Sequence, residues 1–145
     1  MKRFQFPLER VRRWRAEQAA MEELKLEQLA AQLTAIREEK RNIENQRVRT
    51  ERELLGQPSI QATELQSLDA YRLYTRNKIR ETETRECQAA ASVEQQRQKV
   101  IEARRQAELL ERLKRKALDE WQTASDQEQE TLAAELHLAK RARAR

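Results

Sequence analysis

Stepping from Leu65 to Ala124 by alternating threes and fours lands on Leu65, Leu68, Arg72, Thr75, Ile79, Thr82, Glu86, Ala89, Val93, Gln96, Val100, Ala103, Ala107, Leu110, Lys114, Ala117, Trp121 and Ala124. Twelve of these eighteen positions are apolar, where the overall apolar share of 38% would place about seven, so the spacing is a pattern rather than chance. A 3.5-residue repeat of this length, with neither Gly nor Pro inside it, predicts the seam of a left-handed coiled coil. A lone helix would leave that stripe in water, so the stripe requires a partner helix.

The partner is upstream. From Leu8 to Leu55 there is again neither Gly nor Pro, enough for a helix of about 70 Å. Its stripe is clearest at Leu26, Leu29, Leu33, Ile36, Lys40, Ile43, Arg47, Thr50 and Leu54. The earlier apolar residues Leu8, Val11, Trp14, Met21 and Leu24 leave that register. They predict a phase shift of about one residue, a stutter, near Met21 to Leu26. Pro7 suits a first helical turn. Gly56-Gln57-Pro58-Ser59 is the one break, with Gly56 placed just after a helix end and Pro58 following it. Ser59 or Thr63 can cap the next helix, Thr63 with Gln66 as a capping box.

A short connection between two long amphipathic helices makes them antiparallel neighbours. The predicted fold is therefore all-α: two long helices forming an antiparallel coiled-coil hairpin, the second longer and overhanging. Helix 1 is expected over about 7–55, the turn over 56–62, helix 2 over about 63–140 and a basic tail over 141–145, in one coiled-coil domain spanning 1–145. With Leu54 set opposite Leu65, facing residue numbers add up to about 119. Ile36 then faces the neighbourhood of Glu83, Leu26 faces Val93 and Leu8 faces Glu111. Everything past about Arg112 overhangs by around 50 Å, still carrying Trp121, Leu132, Leu136 and Leu138. Glu9–Arg13, Glu81–Arg85, Glu108–Arg112 and Glu111–Arg115 are i,i+4 pairs in the favourable order, each contributing about 0.2–0.5 kcal/mol.

Composition supports a thin stripe rather than a globular core, since one Gly, two Pro and 38% charged residues leave little material for turns. The same balance would fit a disordered chain, but a disordered chain has no reason to keep its apolar residues in phase. The net charge of +5 is modest. It is concentrated at Lys2 to Arg15, at Arg112 to Lys116 and at Lys140 to Arg145, where the plain reading is solvated helix faces. Cys87 is the single cysteine, which excludes an internal disulfide framework and fits a reducing compartment. With no apolar core behind the charged start and no run long enough to span a bilayer, the protein is expected to be soluble and cytoplasmic.

Catalysis has little to work with. His137 is the only histidine and has no evident partner; Cys87 lies beside Glu86 and one residue off the seam. There is no Gly-rich phosphate loop, no metal-spaced Cys/His set and no nucleophile–base pair. The expectation is a protein that is not an enzyme, with no catalytic, cofactor or metal residues. A basic zipper needs a densely basic helix feeding a parallel coil, whereas the break at Gly56 imposes an antiparallel pair. That leaves at most weak, non-specific DNA contact and peripheral adhesion to anionic membrane. Tyr71, Tyr74 and Trp14 stand out as aromatics among Arg residues, the side chains that binding hot spots use. Packing against the neighbouring helix explains them equally well.

Phe4-Gln5-Phe6-Pro7-Leu8-Glu9-Arg10-Val11, followed by Trp14-Arg15, resembles the opening of the FliJ family, small cytoplasmic proteins of the bacterial flagellar type III export apparatus. The mid-chain break, the scarcity of Gly and the run Leu110 to Lys116 agree with that family. The resemblance implies a two-helix antiparallel coiled coil similar to the central stalk of rotary ATPases, without cofactor. It also implies partners: the hexameric export ATPase, the export gate protein FlhA and, for some members, export chaperones. Match to the opening motif carries ATPase contact onto Phe6, Leu8, Val11, Trp14 and Arg15. Geometry alone extends it to Leu132, Leu136 and Arg141. Gate contact at Tyr71 and Tyr74 follows only from aromatics near the turn. The alternative is a structural coiled coil that self-associates through the overhang, with no ATPase partner.

Overall fold

A computed structural model of the chain describes residues 2–144; Met1 and Arg145, the last residue of the expected basic tail, lie outside them. The fold is all-α, with helix α1 (Glu9–Leu55) and the longer helix α2 (Ala62–Arg143), and no strand among the described residues. Neither helix is long and apolar enough to cross a membrane among the described residues. The chain divides into two compact units, Met21–Val100 and the pair of segments Met1–Ala20 and Ile101–Arg145. Within each unit a stretch of α1 lies antiparallel to a stretch of α2.

In Met21–Val100 the core is a single seam. Leu33, Leu68, Val93 and Val100 are its buried apolar residues, and Thr75, Thr82 and Gln96 share it. The threonines are tolerated because each hydroxyl donates back along its own helix, Thr75 Oγ1 to the Tyr71 carbonyl at 3.0 Å and Thr82 Oγ1 to the Lys78 carbonyl at 2.8 Å. Gln96 crosses the seam, its Nε2 donating to the Glu22 carbonyl at 3.0 Å and to the Glu22 carboxylate. That hydrogen bond from Gln96 is the main cause that holds the Glu22 carboxyl below its ordinary range.

Ion pairs fix a different register from the one expected. Lys40 Nζ lies 3.5 Å from Glu83, Arg37 Nε 3.0 Å from Glu86 and Arg72 Nε 3.0 Å from Glu51, residue numbers that total 123 in each pair. This is about four residues, one helical turn, from the expected register. The reason is electrostatic. The expected register would set Lys40 against Ile79 and Glu51 against Leu68; one turn on, each cation meets a carboxylate. Arg37, by its hydrogen bond, and then Lys40 hold the Glu86 carboxyl low. Arg85 also reaches across, to Glu39 at 3.0 Å, instead of taking Glu81 in its own helix.

The stutter is absent. Along α1 the series Arg12, Arg15, Ala19, Glu22, Leu26, Leu29, Leu33, Ile36, Lys40, Ile43, Arg47 and Leu54 is half-buried or buried and runs in threes and fours except at exposed Thr50, with Glu9, Gln18, Glu23, Glu44 and Glu51 half-buried beside it. Leu8, Val11, Trp14, Met21 and Leu24 are exposed instead. No phase shift is needed to place these apolar residues, because Arg12, Arg15 and Glu22 occupy the seam there, lining it with their aliphatic stems while their charged ends find partners at its edge.

The helix ends follow local chemistry. The Gly56 N–H donates to the Arg52 carbonyl at 3.0 Å, and a Cβ at Gly56 would sit 2.9 Å from that oxygen. Glycine is there for the close approach, since no residue has a positive φ among those described. The cap of α2 falls on Gln61, not on Ser59 or Thr63. Glu64, three residues on, accepts the Gln61 N–H at 2.9 Å, the carboxylate half of a capping box. At the other end of α1, Pro7 and Leu8 form a turn just before the helix, where the Phe6 carbonyl accepts the Glu9 N–H at 3.2 Å.

Candidate partner-binding surface

In the unit that brings residues 2–20 to residues 101–144, the seam is carried by Ala19, Leu110 and the half-buried Ala103, Ala107, Ala117 and Trp121. Small alanines let the helices approach but bury little area. Polar side chains therefore supply much of the pairing, and the ion pairs between the helices gather on one flank. Arg12 grips Glu9 with two donors, at 2.6 and 3.0 Å, and gives its third nitrogen to Glu111 at 2.6 Å. Lys114 Nζ closes the group on Glu9 at 3.2 Å. Arg12, by its hydrogen bonds, and then Lys114 hold the Glu9 carboxyl at about 2, against an ordinary value of 4.5. Arg12 is correspondingly raised, first by Glu9 and then by Glu111. Of the expected i,i+4 pairs, Glu108–Arg112 at 2.6 Å and Glu9–Arg13 at 3.5 Å form. Glu111 is drawn across to Arg12 instead of Arg115.

The opposite flank is marked by Arg15. Its Nη1 donates to Gln106 across the seam, and its guanidinium lies over the Trp14 ring, 4.6 Å from the centroid. Arg15 is thus a half-buried seam residue rather than a free outward charge. Leu8, Val11 and Trp14 stand three residues apart and are 42, 43 and 49% exposed. Apolar side chains of this size held in water on one face are what a binding surface requires. Phe6 is half-buried just ahead of them, and a shallow recess of about 490 Å³ opens beside it, lined by Phe4, Phe6, Glu9 and Lys114 among others.

Residues 2–8 lie back along α2. Trp121 Nε1 donates to the Lys2 carbonyl at 3.2 Å, and the Phe4 and Trp121 rings sit 6.0 Å apart. This segment covers α2 as far as Trp121, so the overhang does not begin at Arg112. From Asp126 to Ala144 every residue is exposed. Leu132, Leu136 and Arg141 lie there, about 16 to 30 Å along the helix from Trp121, and the structure does not bring them to Leu8, Val11 and Trp14. Tyr71 and Tyr74 belong to the other unit and face differently. Tyr71 is half-buried and lines an open recess of about 410 Å³ with Thr50, Leu54 and Leu68, whereas Tyr74 is exposed under the Lys78 ammonium, 5.9 Å from its ring centroid.

Leu109 and Leu113 were missed by reading the sequence, although they are 59 and 41% exposed. They fall at outer heptad positions between seam residues, and a pattern searched only for its seam passes over them. Cys87 and His137 are exposed, and no group of His, Cys, Asp or Glu among the described residues could hold a metal ion. No family model, no curated protein and no solved structure matches the chain.

Proposed function

We propose that this protein is a coiled-coil adaptor of the flagellar type III export apparatus, binding the hexameric export ATPase and coupling it to the export gate. The observation that carries the reading is the exposed row Leu8, Val11 and Trp14, which continues the Phe4-x-Phe6 opening resembling the FliJ family. The row contributes nothing to the seam, so an external partner is its physical explanation. On this reading the unit containing residues 2–20 and 101–144 docks on the ATPase. Phe6, Leu8, Val11 and Trp14 make the contact, and Arg15 holds the Trp14 ring in place. Leu132, Leu136 and Arg141 extend that contact along α2. FlhA meets the region of Tyr71 and Tyr74, and export chaperones are further partners. The protein then works in the cytoplasm, held at the inner membrane through the apparatus. The test is co-elution of the full chain with the export ATPase. Leu8→Asp with Trp14→Ala should abolish it, and unchanged co-elution would remove these residues from the site.

A second reading rests on the exposed Leu132 and Leu136. These could pair α2 with a second copy in a self-associating scaffold that needs no ATPase. Light scattering separates the two, because only self-association predicts an oligomer of the chain alone that Leu132→Asp with Leu136→Asp converts to a monomer.

A further inference from the structure

The unit containing residues 2–20 and 101–144 is two-faced. On α1, Glu9 and Arg12 are three residues apart on one side; on α2, Glu111 and Lys114 are as well. The four meet in one ion cluster. Their flank is satisfied from within. On the other side, Trp14 touches Arg15 and Arg15 reaches Gln106. Gln106, Leu109 and Leu113 follow one another by three and four, so they share a face of α2. Val11 and Trp14 share the matching face of α1. In an antiparallel pair these outer positions lie on the same side of the seam. Val11 with Leu113 and Trp14 with Leu109 also sit at the same level, because Arg12 pairs with Glu111. Four apolar side chains, 41 to 59% exposed, therefore form one flank contributed by both helices.

Its rim is basic. The exposed charged residues one turn from these four are Arg10, Arg105, Arg112 and Lys116, against Glu17 alone. Three of the four cations already share a carboxylate within their own helix, Arg105 with Glu102 at 3.5 Å, Arg112 with Glu108 at 2.6 Å and Lys116 with Glu120 at 3.9 Å. Exposed pairs of this kind exchange partners at little cost. A shallow recess of about 580 Å³ opens beside Leu109 on α2, lined by Arg105 and Arg112 together with their partners Glu102 and Glu108.

We infer that this flank takes an amphipathic helix with carboxylates along its edges, laid alongside α1 and α2 as a third helix. Exposed apolar side chains contributed side by side by two helices are what a docking helix meets through i, i+3 and i+7 anchors. The four cations select the sign of the edges, and Trp14 is the anchor. The inference names the chemistry of the segment that the docking reading leaves open and shares Val11 and Trp14 with it. Its test needs no ATPase, so the two can fail separately.

The probe is a dye-labelled synthetic helix of about three heptads, with Leu at its core positions and Glu at the flanking ones, titrated with the full-length chain and followed by fluorescence anisotropy. Its sister carries Lys in place of Glu. Wild type should bind the Glu peptide at least tenfold more tightly than the Lys peptide. Leu109→Gln with Leu113→Gln should weaken binding at least tenfold with the melting temperature unchanged, since both side chains are exposed. Arg112→Glu with Lys116→Glu should shift preference towards the Lys peptide. No binding of the Glu peptide, equal binding of the two peptides, or wild-type affinity in the Leu109/Leu113 variant overturns the inference.

Discussion

Leu33 and Leu24 are the same residue type on the same helix, yet their positions set them far apart in energy. Leu33 is 8% exposed and packs in the seam, whereas Leu24 is 55% exposed. Truncating a buried leucine to alanine costs about 2–5 kcal/mol, depending on how far the site can collapse. A seam between two helices lies near solvent, and water can reach the space left behind, so the expected cost for Leu33→Ala is near the lower end, about 2 kcal/mol. Leu24→Ala removes a side chain already in water and gains slightly in helix propensity, so its effect should stay within about 0.5 kcal/mol. For a chain of this size 1 kcal/mol moves the melting temperature by roughly 3 °C. Thermal unfolding followed by helical circular dichroism should show a fall of roughly 6 °C for Leu33→Ala and almost none for Leu24→Ala. Equal losses would refute the unbroken heptad and restore the phase shift that the apolar residues alone suggest.

Acid should weaken the unit that holds Glu9. Its carboxyl lies at about 2 in the folded chain against an ordinary 4.5, so its stabilising effect is complete above pH 4.5 and lost as pH falls towards 2. Melting temperatures measured across that window should fall, and Glu9→Gln should flatten the dependence. Replacing Arg12 with Gln should let the Glu9 carboxyl titrate closer to its ordinary value, readable by NMR. Phe4→Ala should free the Trp121 ring from its stacking partner and shift its emission to the red; an unchanged spectrum in a Trp14→Phe background would mean the two rings do not meet in solution. Trp14→Ala, by contrast, should leave the melting temperature nearly unchanged, because the ring is half exposed and lies outside the seam.

The seam of α2 was legible from Leu68 to Trp121. Of the positions predicted from Leu65 to Ala124, only the two terminal ones are exposed. Apolar and small residues at strict spacing left no other face to bury. On α1 the same rule failed before Leu26, because it follows hydrophobicity and the seam there runs through Arg12, Arg15 and Glu22. Long side chains with apolar stems can line a narrow seam, and their charges decide the register once partners such as Glu111 are in place. That register was one turn out for the same reason. It had been set from Leu54 and Leu65, but Leu65 is half exposed beside the connection, whereas Lys40, Glu83, Glu51 and Arg72 carry the pairing. Of the candidate surface, Leu8, Val11 and Trp14 were legible only through the resemblance of the opening residues. Leu109 and Leu113 needed the fold, because they join the surface only when α2 lies against α1.

The docking reading stands or falls most directly on ATP hydrolysis by the export ATPase of the same organism, measured with and without the full-length chain. The account predicts faster turnover with wild type and the basal rate with the Leu8→Asp, Trp14→Ala variant, at equal melting temperatures. A rate that wild type leaves unchanged would contradict the proposed role and leave the exposed row to another partner.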